Sequence, residues 1–204
     1  FDEDASLFYP DSRVFFDEIA RDYIPDGDFS PIWNPEFFGN MIMVNGNTWP
    51  FLNVQQRRYR FRFLNGCQSR FLALKFEDSR ADVWQIGTEG GFLPAPVRIN
   101  DLDVQGVGPV ILLGPAERAD VIVDFANVPE GTAFRLLNLA PDEPFGGFPP
   151  DDPDDIAADP DTTGQVMQFR VGAATSVDTS TPPSELRLPG IEPLPAVTNI
   201  RQVS

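Results

Sequence analysis

Hydrophobic and polar residues alternate most clearly in positions 41–65, which read MIMVNGNTWPFLNVQQRRYRFRFLN. Aromatic residues and arginines take alternate positions in the second half of this segment, Tyr59, Phe61 and Phe63 against Arg58, Arg60 and Arg62. A period of two is typical of a β-strand with one face on a core. We therefore predict a strand with its aromatic residues buried. The arginines on the opposite face either meet carboxylates, of this domain or of another, or are simply solvated.

A tight turn precedes that strand. Asn45-Gly46 lies between the apolar run at 41–44 and a returning segment that contains Pro50. Asn and Gly both tolerate positive φ, so this pair predicts a hairpin with a type I′ turn. Pro50 has no N–H to donate, so the returning segment should be irregular or lie at a sheet edge. Residues 71–76 follow the arginine strand closely, which predicts an antiparallel partner for it.

Further short apolar segments predict more strands. They span residues 83–87, 97–99, 110–113, 119–125, 133–139 and 165–171. The 21 prolines and 16 glycines of the chain disfavour long helices. Glu89-Gly90-Gly91 is predicted to be a tight turn, because Pro94 and Pro96 exclude the helix that a phosphate-binding loop needs. About eight strands separated by turns indicate an all-β, two-sheet Greek-key sandwich.

The length fits one domain with long arms. Of the 204 residues, we assign 36–174 to the domain, 1–35 to a linker arm before it and 175–204 to a proline-rich linker after it. The first arm carries several aromatic residues between Phe15 and Trp33, so we expect it to pack along the edge of the sandwich. The chain begins at Phe1 without an initiator Met, which we interpret as a piece of a longer polypeptide.

Charge excludes some classes of protein. A net charge of −16 excludes a nucleic-acid binder, because neutralising phosphates needs clustered cations. No apolar run approaches the ~18 residues that span a bilayer. Residues 142–161 hold eight carboxylates and no cation, which predicts an exposed loop without regular structure. A Ca²⁺ site is the alternative, but the D-x-D-x-D-G pattern is absent, so we favour a solvated loop.

The candidate chemistry is limited because the chain contains no histidine. A blue-copper site needs a cysteine together with two imidazoles, so Cys67 is predicted to be a small buried thiol and not a copper ligand. Nucleophilic triads that depend on histidine are excluded for the same reason. Glu117 and Asp120 could form an acid/base pair, but a structural charge pair at the end of the sheet is favoured. We therefore predict no catalytic residue.

Four motifs occur in the order known from one family. They are VNG-x-x-WP-x-L-x-V at 44–54, RRYRFRFLN at 57–65, WQIG with EGGFLP at 84–94, and GPAERADVIVDF at 114–125. They resemble the central domain of three-domain multicopper oxidases, in the group of spore-coat laccases, bilirubin oxidases and phenoxazinone synthases. The opening residues, FDEDASLFYP, resemble the segment that leads out of the first domain. The resemblance implies a cupredoxin-like fold for the sandwich.

The resemblance also implies a role. In this family the first and third domains carry copper through His-rich motifs, and the enzyme couples oxidation of phenolic or aromatic substrates to reduction of O₂ to water. The chain would be the copper-free middle domain, which holds the flanking copper domains in register and is inactive on its own. The alternatives are a stand-alone β-sandwich binding or adhesion module and a truncated assembly partner.

The middle domain of such enzymes supplies part of the substrate-pocket wall. The matching positions here are Pro35, Glu36, Phe37 and Phe38 with Gly39, then Ser69 before Arg70, and Gly146 and Gly147 after Phe145. Phe37 and Phe38 either stack on aromatic substrates or plug the end of the sandwich. Some relatives have a cysteine pair near this pocket. That disulfide is missing here, because Phe38 occupies one of the two places and the chain has a single cysteine.

Overall fold

A computed structural model describes residues 36–148, 157–190, 193, 195–196 and 198–201. The chain divides into two compact units, residues 1–37 and 38–204. Of the first unit, only Glu36 and Phe37 are among the described residues. The predicted packing of the first arm, Phe15 to Trp33, lies outside them and stays a prediction. The part of the chain that is described has no helix long and apolar enough to cross a membrane.

The described residues form eleven strands and two single-turn 3₁₀ helices, at Ile99–Asp101 and Pro183–Glu185. The strands are β1 (Met43–Val44), β2 (Asn47–Thr48), β3 (Phe51–Gln55), β4 (Arg58–Leu64), β5 (Leu72–Phe76), β6 (Asp82–Thr88), β7 (Gly91–Arg98), β8 (Ile111–Leu113), β9 (Arg118–Asp124), β10 (Ala133–Asn138) and β11 (Gln165–Gly172). One sheet has the order β3-β11-β10-β5-β8 and the other β4-β9-β6-β7, while β1 and β2 form a hairpin. The predicted all-β, two-sheet sandwich is confirmed.

The core lies between the two sheets and is rich in phenylalanine. Phe169 on β11 is fully buried at its centre. Its ring centroid lies 5.4–5.8 Å from those of four other phenylalanines, Phe61, Phe76, Phe125 and Phe134. Such aromatic pairs add about 0.5–1.5 kcal/mol each to the stability that burial alone provides.

The predicted alternation in β4 is confirmed: its aromatic residues and its arginines lie on opposite faces of the strand. Tyr59, Phe61 and Phe63 pack against the core, although each is only partly buried. Arg60 and Arg62 are exposed on the other face. Two arginines of this face meet carboxylates of the same chain. Arg60 donates to both carboxylate oxygens of Asp120 at 2.8 and 2.5 Å, and Arg58 pairs with Asp124 and Asp178. Carboxylates of this chain therefore neutralise two of the three arginines on this face.

The hairpin is also as predicted. Asn45 and Gly46 have φ of 50° and 82°, both positive as a type I′ turn requires, and Met43 pairs with Thr48. After Pro50, β3 lies at the edge of the five-stranded sheet. The edge position accommodates a proline that cannot donate to a neighbouring strand.

The predicted pairing of the arginine strand with residues 71–76 is wrong. β4 pairs with β9, whereas β5 lies in the other sheet between β10 and β8. The residues between them, 65–71, therefore cross from one sheet to the other, and we term them the crossover loop. Fully buried Asn65 holds this loop, since its amide donates to the carbonyls of Arg70 and Leu113 at 2.8 and 3.0 Å.

Strand β7 is longer than the sequence predicts. Only 97–99 was expected to be strand, yet β7 runs from Gly91 to Arg98 and includes Pro94 and Pro96. It is the last strand of its sheet, so its prolines need not donate to a neighbour on the open side.

The segment after β11 is anchored without adding a strand among its described residues. Asp178 accepts a hydrogen bond from the backbone N–H of Arg58 at 2.7 Å, and the Arg58 guanidinium binds Ser180 at 2.8 and 2.9 Å. The hydrogen bonds from Ser180, followed by that from Arg58, hold the pKa of Asp178 well below its usual value. The start of the predicted linker at 175 therefore lies against β4.

Candidate functional site

A buried arginine lies where the crossover loop enters β5. The Arg70 side chain has no exposed surface. Its Nη2 donates to the carbonyls of Phe38 and Gly39 at 2.7 and 2.9 Å, and its Nη1 donates to the Asp142 carboxylate. One guanidinium therefore contacts both the segment before the β1–β2 hairpin and the start of the acidic segment.

Burial makes this charge expensive unless it is paired. Desolvation costs several kcal/mol per ion in a protein interior, and here it lowers the pKa of Arg70 from its ordinary high value. Asp142 supplies the countercharge, and its second oxygen accepts a hydrogen bond from the Thr163 hydroxyl at 2.5 Å. Of the three guanidinium nitrogens of Arg70, Nε alone has no hydrogen-bond partner among the described residues. Removing one partner of such a pair typically costs about 3–5 kcal/mol.

The strand registers bring these segments to one end of the sandwich. β4 ends and β5 begins at the crossover loop, and Asn138, the last residue of β10, pairs with Leu74 on β5. The Asn138 side chain is buried, and its oxygen accepts hydrogen bonds from the N–H groups of Ala73 and Ala140 at 3.0 and 3.1 Å. The acidic segment therefore starts beside Arg70. We term this the crossover end.

A second set of contacts holds the glycine pair at this end. The Phe145 ring stacks on Phe71 with centroids 4.9 Å apart, and it meets Phe148 edge-on at 5.0 Å. Phe148 is buried, and its N–H donates to the side chain of Gln105 at 2.9 Å. Gly146 and Gly147 lie between the two anchored rings. Gly147 has a φ of 119°, which a residue with a side chain rarely adopts.

The predicted wall residues reach this end to different degrees. Phe38 contacts Arg70 directly, with its partly buried ring 5.8 Å from the guanidinium carbon. Ser69 precedes Arg70 in the chain and is partly buried. Gly146 and Gly147 lie between Phe145, which packs on Phe71, and Phe148, which belongs to a small buried cluster with Ala73, Val110 and Ala140.

The remaining predicted wall residues belong to the first unit, residues 1–37. Glu36 is exposed and Phe37 is partly buried, and both belong to the first unit. Pro35 lies outside the described residues. That Phe37 and Phe38 either stack on a substrate or plug the end of the sandwich stays a prediction.

Two surface grooves lie away from the predicted wall. One, of about 490 Å³, lies at the opposite end of the sandwich, where Gln55, Tyr59 and Gly172 meet. The other, of about 310 Å³, follows the four-stranded sheet between Arg62, Phe92 and Arg118. Neither groove is lined by a predicted wall residue.

Sequence reasoning missed the residues that organise the crossover end. Asp142 was expected to be solvated with the rest of 142–161, whereas it pairs with buried Arg70 and Thr163. The signal was a lone arginine directly before the apolar run that begins at Phe71. This position alone does not require burial, since Arg118 at the start of another buried strand is exposed, but an arginine that is buried with its strand needs a carboxylate. Residues 149–156 of the acidic segment lie outside the described residues.

The other candidate residues have structural partners. The Glu117 carboxylate accepts the N–H of Gly114 at 2.6 Å, and Asp120 is bound by Arg60, so the two do not form an acid/base pair. Cys67 is a free, partly buried thiol whose pKa is raised by burial. Among the described residues, no group of three metal-ligating side chains is close enough to hold a metal ion.

Comparison with known proteins identifies the relatives of this chain. No protein-family model matches it. It is 37% identical over 161 residues to Multicopper oxidase LPR1 homolog 5 of Oryza sativa subsp. japonica, covering 78% of this chain and 23% of that protein. It is 38% identical over 169 residues to a laccase of Bacillus subtilis, covering 83% of this chain and 27% of that protein. The chain thus spans about a quarter of the length of these curated relatives.

A solved structure agrees with these matches. The crystal structure of the McoA multicopper oxidase from the hyperthermophile Aquifex aeolicus matches with a TM-score of 0.57 and 30% sequence identity. The match covers 80% of this chain and 32% of that one. Fold and sequence therefore point to the same relatives.

Proposed function

Because the chain is a homologue of multicopper oxidases and has their cupredoxin-like β fold, we propose that it is the copper-free middle domain of such an oxidase. The observation that carries this proposal is that relatives match most of this chain, whereas the chain covers about a quarter of each relative. The chain also lacks the histidines on which copper sites of these enzymes rely. The alternative of a stand-alone binding module has no support among the relatives.

The donor set of this chain does not fit copper. Blue-copper centres combine a cysteine thiolate with two imidazoles, and histidine is the commonest metal ligand in proteins. With no histidine and one partly buried cysteine, the chain offers no comparable set. Copper in the whole enzyme would therefore be held by flanking domains, and the chain alone would bind none and oxidise nothing.

The role of the chain would be structural and substrate-facing. Its sandwich, residues 36–174, would hold the flanking copper domains in register, with 1–35 and 175–204 as the connecting segments. The crossover end would supply part of the wall against which a phenolic or aromatic substrate lies. Support comes from the contacts that bring Phe38, Ser69 and the Gly146–Gly147 pair to the same end of the fold.

Purification of the native protein that contains this sequence tests the proposal. We expect a polypeptide of roughly 50–60 kDa, more than twice the 22.6 kDa of this chain, with bound copper, absorption near 600 nm and phenol oxidase activity. The isolated chain, prepared in parallel with added copper, should show neither the absorption nor turnover. A native protein no larger than this chain, or 600 nm absorption from the chain alone, would refute the proposal.

A further inference from the structure

We infer that Arg70 is a positioning residue, whose single guanidinium sets the distance between two segments of the wall, Phe38–Gly39 and Asp142–Gly147. The assignment of these segments to a substrate wall rests on the proposed function. The junction itself is a property of this chain and can be tested separately.

The geometry of the junction supports this role. The partners of Arg70 lie 32, 31 and 72 positions away in the sequence, so no local structure brings them together. Two of them are main-chain carbonyls, so the guanidinium fixes the path of the Phe38–Gly39 backbone and not only a side chain. The guanidinium is planar and rigid, so moving one segment relative to the other breaks hydrogen bonds that one of them makes to Arg70. A lysine could not reproduce this fork, because its ammonium group is a single point charge.

The glycine pair belongs to the second of these two segments. The segment after β10 is held twice, by Asp142 on Arg70 and by Phe145 on Phe71. Because Arg70 and Phe71 are consecutive in the chain, both contacts attach the segment to the same stretch of backbone. A loss of the Asp142 contact would therefore remove one anchor from the start of the segment, while the aromatic contact still retains its middle.

Asp142 allows the positioning role of Arg70 to be separated from its contribution to general stability. The Asp142 side chain is 44% exposed, whereas Arg70 is completely buried. Replacing Asp142 by the nearly isosteric asparagine removes the negative charge without opening a cavity. The buried arginine then loses its countercharge, and we expect it to shift its hydrogen bonds, including those to Phe38 and Gly39.

Nuclear magnetic resonance on the isotopically labelled 204-residue chain tests the junction. In Asp142→Asn, the carbonyl ¹³C resonances of Phe38 and Gly39 should shift, although these residues do not contact Asp142 in any described hydrogen bond. The matched control is Asp78→Asn, which removes the charge from an arginine pair in the turn after β5, at the opposite end of the sandwich. Shifts at Phe38 and Gly39 in Asp142→Asn only support the inference. Unchanged resonances in a folded Asp142→Asn variant overturn it.

Steady-state kinetics on the complete oxidase test the role in the wall. We expect Asp142→Asn to raise KM for a bulky phenol roughly tenfold with kcat within about twofold, because small displacements of positioning groups change substrate binding strongly. KM for ferrocyanide, a small inorganic reductant, should not change. Asp142→Glu restores the charge and should recover part of the loss, whereas Asp78→Asn should behave as wild type.

The outcomes distinguish the inference from the proposed function. Equal KM values for the phenol in wild type and Asp142→Asn, in an active oxidase, overturn the positioning role. A parallel rise in KM for ferrocyanide overturns it as well, because it indicates general damage. A native protein without copper or oxidase activity overturns the proposed function and the wall role together, while the resonance experiment still decides whether Arg70 joins the two segments.

Discussion

Phe169 at the centre of the core should be the costliest single truncation among the aromatic residues. It is completely buried and its ring meets four other phenylalanine rings. Truncation of a buried phenylalanine to alanine costs about 3–5 kcal/mol, through lost burial and the cavity that remains. The ring contacts in this cluster place Phe169→Ala at the upper end of that range. Since domains are stable by about 5–15 kcal/mol, much of the free energy of unfolding would be lost.

Phe61 provides the internal comparison. It lies on β4 and contacts Phe169 with centroids 5.8 Å apart, but it is only partly buried. Its truncation leaves a site that solvent already reaches in part, so we expect Phe61→Ala to cost about half as much, roughly 2 kcal/mol.

Urea unfolding of the chain, followed by far-ultraviolet circular dichroism, measures both free energies. Arg62→Ala on the exposed face of β4 is the control and should change stability by less than about 0.5 kcal/mol. Equal losses for Phe61→Ala and Phe169→Ala would refute the reasoning, because they would mean that partial and complete burial on the two sheets contribute alike.

Two further predictions follow from local geometry and charge. Gly164→Ala should destabilise the chain by about 3 kcal/mol or more, because the new Cβ would lie 2.4 Å from the Ala158 carbonyl oxygen. Gly90→Ala is the control: the space around Gly90 is open, so this variant should be nearly neutral in the same urea assay. The folded-state pKa of Asp178 is depressed, so the stability it contributes is present above its unfolded pKa and is lost as pH falls through the acidic range. The Arg58 N–H donates a hydrogen bond to Asp178, so its amide resonance should move during acid titration. An amide resonance that does not move, or that moves equally in Asp178→Asn, would exclude this anchor.

Local chemistry determined several features that the sequence predicts correctly. Alternating side chains in 58–63 define one apolar face regardless of what covers it. Asn45-Gly46 defines the hairpin because both residues accept positive φ, as they have in the structure. The family motifs extend this reasoning to the cupredoxin-like fold, because they combine many such local signals in one order.

Strand pairing was decided by tertiary structure. Residues 71–76 have the pattern of a partner for β4, yet β5 joins the other sheet. A period of two tells which face of a strand is apolar but not which strand is hydrogen-bonded beside it. A strand in either sheet of a sandwich turns its apolar face to the same core, so the pattern does not decide between the sheets. The choice depends on the crossover loop, which buried Asn65 holds through hydrogen bonds to Arg70 and Leu113.

At the crossover end, too, the sequence predicts some features and only the tertiary structure decides others. Sequence motifs name Phe38, Ser69 and the glycine pair, but they do not reveal that Arg70 joins Phe38 to Asp142. In the sequence, Asp142 looks like the other carboxylates of 142–161, because all of them are charged residues in a polar segment. Only the fold places this one beside a completely buried guanidinium, where the cost of desolvating the arginine makes its countercharge indispensable.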